Sequence, residues 1–158
     1  MNGLHIRRAE ERDIPVIGKL LYQVHKVHSD VRPDLFRAGA KKYTDCELRE
    51  ILADPQRPVF VAEQDGSVLG YAFCIHQQNQ NHNSMTDIKT LYIDDLCVDE
   101  EARGKQIGRT LYEYVLGWAR EREYYNVTLN VWADNANALK FYQKLGLDIQ
   151  KIGMEQVL

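Results

Sequence analysis

The sequence predicts one mixed α/β domain. Short runs of strand character, such as Val59-Phe60-Val61-Ala62, alternate with stretches whose apolar residues recur every three or four positions. Cap and turn residues fall between these runs, and there is no internal repeat or Pro/Gly/Ser-rich linker. A length of 158 residues fits a single domain spanning 1–158 and is enough for a core without disulfide or metal staples.

The elements follow in order. Leu4-His5-Ile6-Arg7-Arg8-Ala9 alternates and reads as a strand. Asp13 is placed to cap a helix that tolerates Pro15 in its first turn and carries Ile14, Ile17, Leu21, Val24 and His28 near one stripe. Arg32-Pro33 breaks that helix, and Thr44 with Glu47 forms a capping box for a second, which Pro55 closes. Asp65-Gly66 between two apolar runs is a hairpin signal, and a third strand covers about Ile88 to Val98. The polar stretch His76–Ser84 reads as loop. A helix from about Lys105 to Glu123 carries Ile107, Leu111, Tyr114, Val115 and Trp118 on one side. A strand from Asn126 to Trp132 and a helix from about Asn135 to Leu145 follow, the latter stopped by Gly146. Asp148–Leu158 reads as a last strand. The resulting order is β-α-α-β-β-β-α-β-α-β.

Composition excludes several classes. The net charge of −3 argues against nucleic acid as a partner, since phosphate binding needs a concentrated cationic surface. Cys46, Cys74 and Cys97 are odd in number and widely spaced, as expected of reduced thiols in the cytoplasm. No apolar run is long enough for a membrane span, and the N-terminus lacks the apolar stretch of a secretory signal. His25 and His28 sit a turn apart but have no evident third ligand, so no metal site is expected.

The chemistry concentrates in Leu91–Arg109, where a strand enters a loop holding Gly104 and Gly108 and a helix opens. Free amides at such a helix start suit a diphosphate, with Lys105 and Arg109 adding positive charge. Neither G-x-x-x-x-G-K-[ST] nor G-x-G-x-x-G occurs, which argues against a nucleotide triphosphatase or a dehydrogenase. Asp94 and Asp95 are adjacent acids in an otherwise apolar strand, expected one on each face. Burying carboxylates is costly, so the pair points to a use.

Arg103-Gly104-Lys105-Gln106-Ile107-Gly108 resembles the Q/R-x-x-G-x-G/A signature of the GNAT superfamily of N-acetyltransferases, with Gln106 standing where the family usually has glycine. The stretch Asn135–Leu147 resembles the family's second element, with Tyr142 seven residues after Asn135. The resemblance covers nearly the whole chain in element order. It implies a largely antiparallel sheet splayed open between the cofactor strand and the next, with helices on both faces. It also implies acetyl-CoA as co-substrate, held by the backbone of Leu96, Cys97 and Val98, by Arg103, Gly104, Lys105, Gln106, Ile107, Gly108 and Arg109, and by Asn135. Tyr142 is then the candidate acid for the CoA thiolate. The Cys97 N–H, or a neighbour's, is the candidate oxyanion donor. Polyamine-type members carry an acidic pair here, and Asp94 matches the proposed base, with Asp95 beside it.

The expected activity is direct acetyl transfer to a primary amine of a small molecule, with a cationic, polyamine-like acceptor favoured by the two acids. A peptide or protein acetyltransferase, a silent acetyl-CoA sensor and a structural protein on the same fold remain alternatives. Tyr22, Phe36, Tyr43 and Trp132 are candidate acceptor-pocket residues, more often core in such settings. Only twelve residues follow Gly146, so one long final strand is expected, leaving an edge for a second subunit in a homodimer.

Overall fold

Alternation along β2 (Val59–Gln64) sends Val59 and Val61 to one face of the central sheet and Phe60 and Ala62 to the other, and all four are buried. The strand is therefore apolar on both sides, as a sheet covered by helices on both faces requires. In this computed structural model, which describes residues 3–158, the other strands are β1 (Leu4–Arg8), β3 (Ser67–Gln78), β4 (Lys89–Val98) and β5 (Asn126–Leu129). Their spatial order is β1-β2-β3-β4-β5, antiparallel except for the parallel β4–β5 pair. Met1 and Asn2 of the expected domain lie outside the described residues.

Helices α1 (Ile14–Val31) and α2 (Asp45–Ala53) cover one face, burying Ile17, Leu20, Leu21, Leu48 and Ile51 against Val59, Val61, Tyr71 and Phe73. Helix α3 (Ile107–Glu121) covers the other, burying Ile107, Leu111, Tyr112, Val115 and Ala119 against Phe60, Ala72, Cys74, Leu91 and Ile93. Tyr114 and Trp118, expected on the same side, flank the buried Phe60 edge-on at 5.2 and 5.4 Å, and Trp118 packs against this core. Helix α4 (Ala136–Lys144) follows β5.

Local signals account for many boundaries. The Thr44 hydroxyl accepts from Glu47 N–H at 3.1 Å and the Glu47 carboxylate from Thr44 N–H at 3.0 Å, a complete capping box. Asp65 and Gly66 have φ of 53° and 81°, as the tight β2–β3 turn demands. Gly70 is required by proximity: a Cβ there would sit 2.7 Å from the Cys97 carbonyl oxygen and 3.2 Å from Leu111.

Four expectations are corrected. Asp13 does not cap α1 with its side chain. Its carboxylate instead receives both Arg7 guanidinium nitrogens at 2.8 Å and the Glu10 N–H at 2.7 Å, because a buried charge is held where its opposite can reach it. His76, Gln77 and Gln78 belong to β3, not to a loop, since β4 pairs with them. Strand β5 ends at Leu129 and not at Trp132, because its ladder with β4 stops at the pair Ile93–Leu129. Residues 148–158 form no strand, having no ladder partner.

Burial alone would raise the Asp13 pKa, but the hydrogen bonds from Arg7 and the Glu10 N–H, together with the Arg7 and Arg12 charges, outweigh it and hold the carboxyl below its ordinary value. A carboxyl depressed in the folded state stabilises the fold above its unfolded pKa and loses that contribution as pH falls. Asp13→Asn is expected to cost about 3 kcal/mol at neutral pH, the usual penalty for breaking a buried pair. It also flattens the loss of stability below about pH 4. Urea denaturation of both proteins across this pH range measures the two effects.

Candidate active site

The site is organised by one extra residue in β4. Phe73 of β3 faces Asp95, whereas the next residue, Cys74, faces Ile93, so Asp94 is bulged out of the ladder. A bulge resets the alternation of side chains, and the two acids accordingly do not lie on opposite faces. Asp94 receives a hydrogen bond from the Tyr43 hydroxyl and another from Lys42 Nζ at 3.0 Å. Asp95 receives the Tyr71 hydroxyl at 2.8 Å. Tyr71 belongs to the α1/α2 core, and Tyr43 packs against it, so both acids turn to that side.

Beyond the bulge β4 has no partner on its β5 side, since the β4–β5 ladder covers only Thr90–Ile93 and Asn126–Leu129. The sheet is splayed there, as the resemblance implied. In an antiparallel ladder, paired residues alternate between bonded and non-bonded. The Asp99 N–H bonds the Leu69 carbonyl at 2.7 Å, and this phase makes Cys97 with Tyr71 the next bonded pair. Cys97 therefore turns its N–H and C=O to β3, while Leu96 and Val98 turn theirs into the opening. The candidate oxyanion donor passes from Cys97 to these neighbours. Leu96 N–H also lies against the Asp95 carboxylate, which leaves Val98 N–H the freer donor. The Cys97 thiol is buried and its pKa is pushed up to about 12, chiefly by burial, which leaves it a poor nucleophile.

The opening continues into a cleft of about 430 Å³. Its walls bring together Leu96, Val98, Arg103, Gly104, Gln106, Ile107, Gly108, Arg109 and Tyr142 of the expected residues, joined by Ala102, Ala138 and Phe141. The first-turn amides of α3 have no acceptor within their helix and lie at this cleft, an arrangement suited to a diphosphate. Gly104 has φ of 87° and open space where a Cβ would stand. Gly108 lies close to β4 and α4: a Cβ there would meet Val98 and Phe141 at 3.5 Å. Lys105 and Asn135 are not in the cleft walls. Asn135 caps α4, its side-chain oxygen accepting from Ala138 N–H at 3.1 Å.

Gln106 is the local surprise. It has φ of 59° and ψ of 24°, in the left-handed region, and is not the first residue of a right-handed turn. Its carbonyl begins the helix by accepting from Thr110 N–H at 3.0 Å. A left-handed residue here explains why the resembling signature carries glycine at this position.

Tyr142 packs edge-on against Tyr112 at 5.9 Å. Burial, reinforced by the Asp95 charge, raises its pKa well above the ordinary phenol value, so the phenol keeps its proton at neutral pH. Asp95 is itself raised, by burial first and by the Asp94 charge, against the opposing pull of Tyr71 and Lys42.

On the α1 side Phe36 stacks on His28 at 5.0 Å and meets Trp132 edge-on at 5.3 Å. The His28 pKa is lowered, mainly by burial. Two of the four candidate aromatics, Phe36 and Trp132, thus share one cluster, and Tyr43 reaches Asp94. Tyr22 stays outside, half-exposed near Lys41. The described residues contain no group of three or more His, Cys, Asp or Glu able to hold a metal ion, and no helix among them is long and apolar enough to cross a membrane. Lys42 and Tyr71 were missed in the sequence. Lys42 sits in a polar loop with no periodic signal, and Tyr71 reads as an ordinary core residue.

A sheet splayed beside a bulge, with a helix N-terminus at the opening, defines an acyltransferase class of fold. Residues 22–147 match the Acetyltransferase (GNAT) family, and the chain belongs to it. The fold implies acetyl-CoA as co-substrate, and the free edge of β4 and the α3 amides fit such a group.

Among similar proteins, the L-amino acid N-acetyltransferase AaaT of Escherichia coli K12 is 28% identical, over 100% of this chain and 91% of its own. The 5-NmdU N-acetyltransferase of Pseudomonas phage PaMx11 is 31% identical over 85% of this chain and 87% of its own. The crystal structure of a mutant of the BH1408 protein from Bacillus halodurans superposes with a TM-score of 0.93 at 30% identity, covering 98% of this chain and 99% of that one.

Replacing Gln106 by glycine removes a left-handed side chain at the mouth of the cleft. Gln106→Gly is expected to stabilise the fold by about 1 kcal/mol, read as a Tm rise of roughly 2–4 °C. Acetyl-CoA affinity, measured by calorimetry on the same variant, should be equal or tighter, because the α3 amides keep their positions.

Proposed function

We propose that this chain transfers the acetyl group of acetyl-CoA to a primary amine of a small molecule by direct attack within one ternary complex. The observation that carries the reading is the convergence, on the β4 opening, of the α3 N-terminus, the outward backbone of Leu96 and Val98, and the protonated Tyr142 phenol.

The co-substrate supplies the thioester. The amides of the first turn of α3 and the Arg103 and Arg109 side chains neutralise its diphosphate. Leu96 and Val98 extend β4 with strand-like pairing to the pantetheine arm. Asp94, in the bulge, accepts a proton from the incoming ammonium directly or through water. The neutral amine nitrogen then forms its bond to the carbonyl carbon. Val98 N–H stabilises the oxyanion as it forms. As the carbon–sulfur bond breaks, Tyr142 gives its proton to the thiolate, whose conjugate acid has a pKa of about 8.5 by analogy with a free thiol, while the acetylated nitrogen loses its second proton to water and Tyr142 regains one from water.

A polyamine-like acceptor would use the negative charge of both acids. The geometry favours a second reading of the acceptor. Asp94 already holds Lys42 at 3.0 Å, so a cation and an anion stand side by side where the amine arrives. That pair suits an acceptor with an anion near its amine, such as an amino acid, and the amino acid N-acetyltransferase among the similar proteins supports it. The Phe36–His28–Trp132 cluster offers an apolar wall for the rest of such a molecule.

Acetyl-CoA at ~100 times its dissociation constant should stabilise the fold by about 2.7 kcal/mol, measured as a thermal shift. Absence of any shift with acetyl-CoA or CoA sinks the proposal. Tyr142→Phe should keep that shift and lower turnover by about 10²–10⁴-fold. A shift without turnover on any acceptor would identify a sensor.

Activity should climb with pH as the amine loses its proton, and Asp94→Asn should lower turnover more than Asp95→Asn. A panel of polyamines, aminoglycosides, amino acids, 5-NmdU and peptide N-termini separates the acceptor readings. If Lys42 recognises an acceptor anion, Lys42→Met raises KM for amino acids and leaves KM for polyamines unchanged or lower.

A further inference from the structure

The proposed mechanism brings an amine nitrogen to Asp94, and in the folded chain one is already there. The Lys42 ammonium donates to Asp94 Oδ1 at 3.0 Å and to the Asp94 carbonyl at 3.3 Å. The Lys42 side chain is 40% exposed, and a partly exposed ion pair of this kind holds its members weakly. Residue 42 lies in the α1–α2 connection, where residues 32–44 form neither helix nor strand. Its flexible stem can therefore swing the nitrogen off the carboxylate without disturbing a ladder or a helix. Leu96, whose backbone faces the opening, lies two positions along β4, about 7 Å on a strand. Lys41 turns the other way, to Asp45 and to the Tyr22 ring at 5.4 Å. Lys26 pairs with Asp30, and Lys89 bonds the Arg122 carbonyl. Of the described lysines, Lys42 is the one bonded to the acid that serves as base.

We infer that Lys42 is a self-modification site: with acetyl-CoA bound and no acceptor present, the chain acetylates its own Lys42 Nζ. The inference rests on the acetyl-transfer reading and adds to it an acceptor carried by the protein. Asp94 takes one proton from the Lys42 ammonium it already holds. The neutral nitrogen forms its bond to the thioester carbonyl carbon, and the carbon–sulfur bond breaks. Tyr142 protonates the departing thiolate and regains a proton from water, while the new amide nitrogen loses its second proton to water. The products are Nε-acetylated Lys42 and CoA. Tethering favours this step, since the nucleophile shares a chain with its base and needs no encounter. The consequence is electrostatic. Acetylation removes the Lys42 charge and its salt bridge, so Asp94 loses the cation beside it and an acceptor carboxylate loses its partner. An idle enzyme thereby imposes on itself the change that Lys42→Met makes by substitution.

Incubation of the full chain with acetyl-CoA in a buffer free of amines, followed by intact mass and fragment assignment, tests it. Lys42 should gain one acetyl group about 10²-fold faster than Lys41, the neighbour that serves as internal control. The rate per chain should not change with protein concentration. Asp94→Asn and Tyr142→Phe should each slow the modification by about 10²-fold, and both should keep the thermal shift with acetyl-CoA that shows them folded and loaded. In a mixture with the wild-type chain, the Tyr142→Phe chain should stay unmodified at Lys42, because the transfer is made within one chain. Lys42 reacting no faster than Lys41, a rate indifferent to both substitutions, or Lys42 of the Tyr142→Phe chain acetylated by its wild-type companion would each overturn the inference. Turnover of an amine from the acceptor panel with Lys42 unmodified overturns the inference and leaves the acetyl-transfer reading standing. No turnover, no modification and no thermal shift overturn both.

Discussion

The bulge at Asp94 is the constraint from which the site follows. Up to Ile93, β4 pairs with strands on both sides, and beyond it only β3 remains a partner. One inserted residue bends the strand and increases its twist, and the divergence from β5 begins at the same place. The backbone of Leu96 and Val98 is thereby left with hydrogen-bonding capacity directed into an opening, a condition a central strand does not ordinarily tolerate. The same insertion turns Asp94 and Asp95 to one side, where Tyr43, Lys42 and Tyr71 hold them. Backbone for a cofactor and carboxylate for an amine thus come from one local irregularity.

The helix that faces this opening begins under strain. Gln106 sits in a conformation that costs a side-chain-bearing residue about 1–2 kcal/mol, yet its carbonyl starts α3 and its neighbours' amides remain free for a ligand. Strain of this size persists when packing around it is firm, and here Ile107 is buried while Gly108 faces Val98 and Phe141. Gly70 plays a matching part on the far side of β4. Its missing side chain admits the Cys97 carbonyl and Leu111, which brings β3, β4 and α3 together behind the cleft.

Charge in the protein is distributed by the same logic of reach. Arg7 and the buried Asp13 form a two-point hydrogen-bonded ion pair that ties the start of α1 to β1. Asp94 keeps enough contact with Lys42 to be oriented. Asp95 faces inward, where burial raises its pKa, and Tyr142 is kept protonated first by its own burial. The two adjacent acids therefore have different electrostatic roles despite sharing a strand.

Periodicity and short-range chemistry made most of the fold legible. Thr44 with Glu47, Asp65-Gly66 and the apolar stripe of α3 each act through neighbours three or four residues away, so the chain alone determined them. The loop Arg103–Arg109 and Tyr142 were recognisable because a phosphate-binding turn needs particular residues at short spacing. Other features depend on contacts between segments far apart in the chain. The Asp94 bulge exists only in register with Phe73, and Lys42 becomes part of the site only when the α1–α2 connection crosses β4. Asp13 read as a cap because Arg7's approach is not visible along the chain. Residues 148–158 alternate well enough to suggest a strand, but strand character is completed by a neighbouring ladder, and a single chain does not provide one.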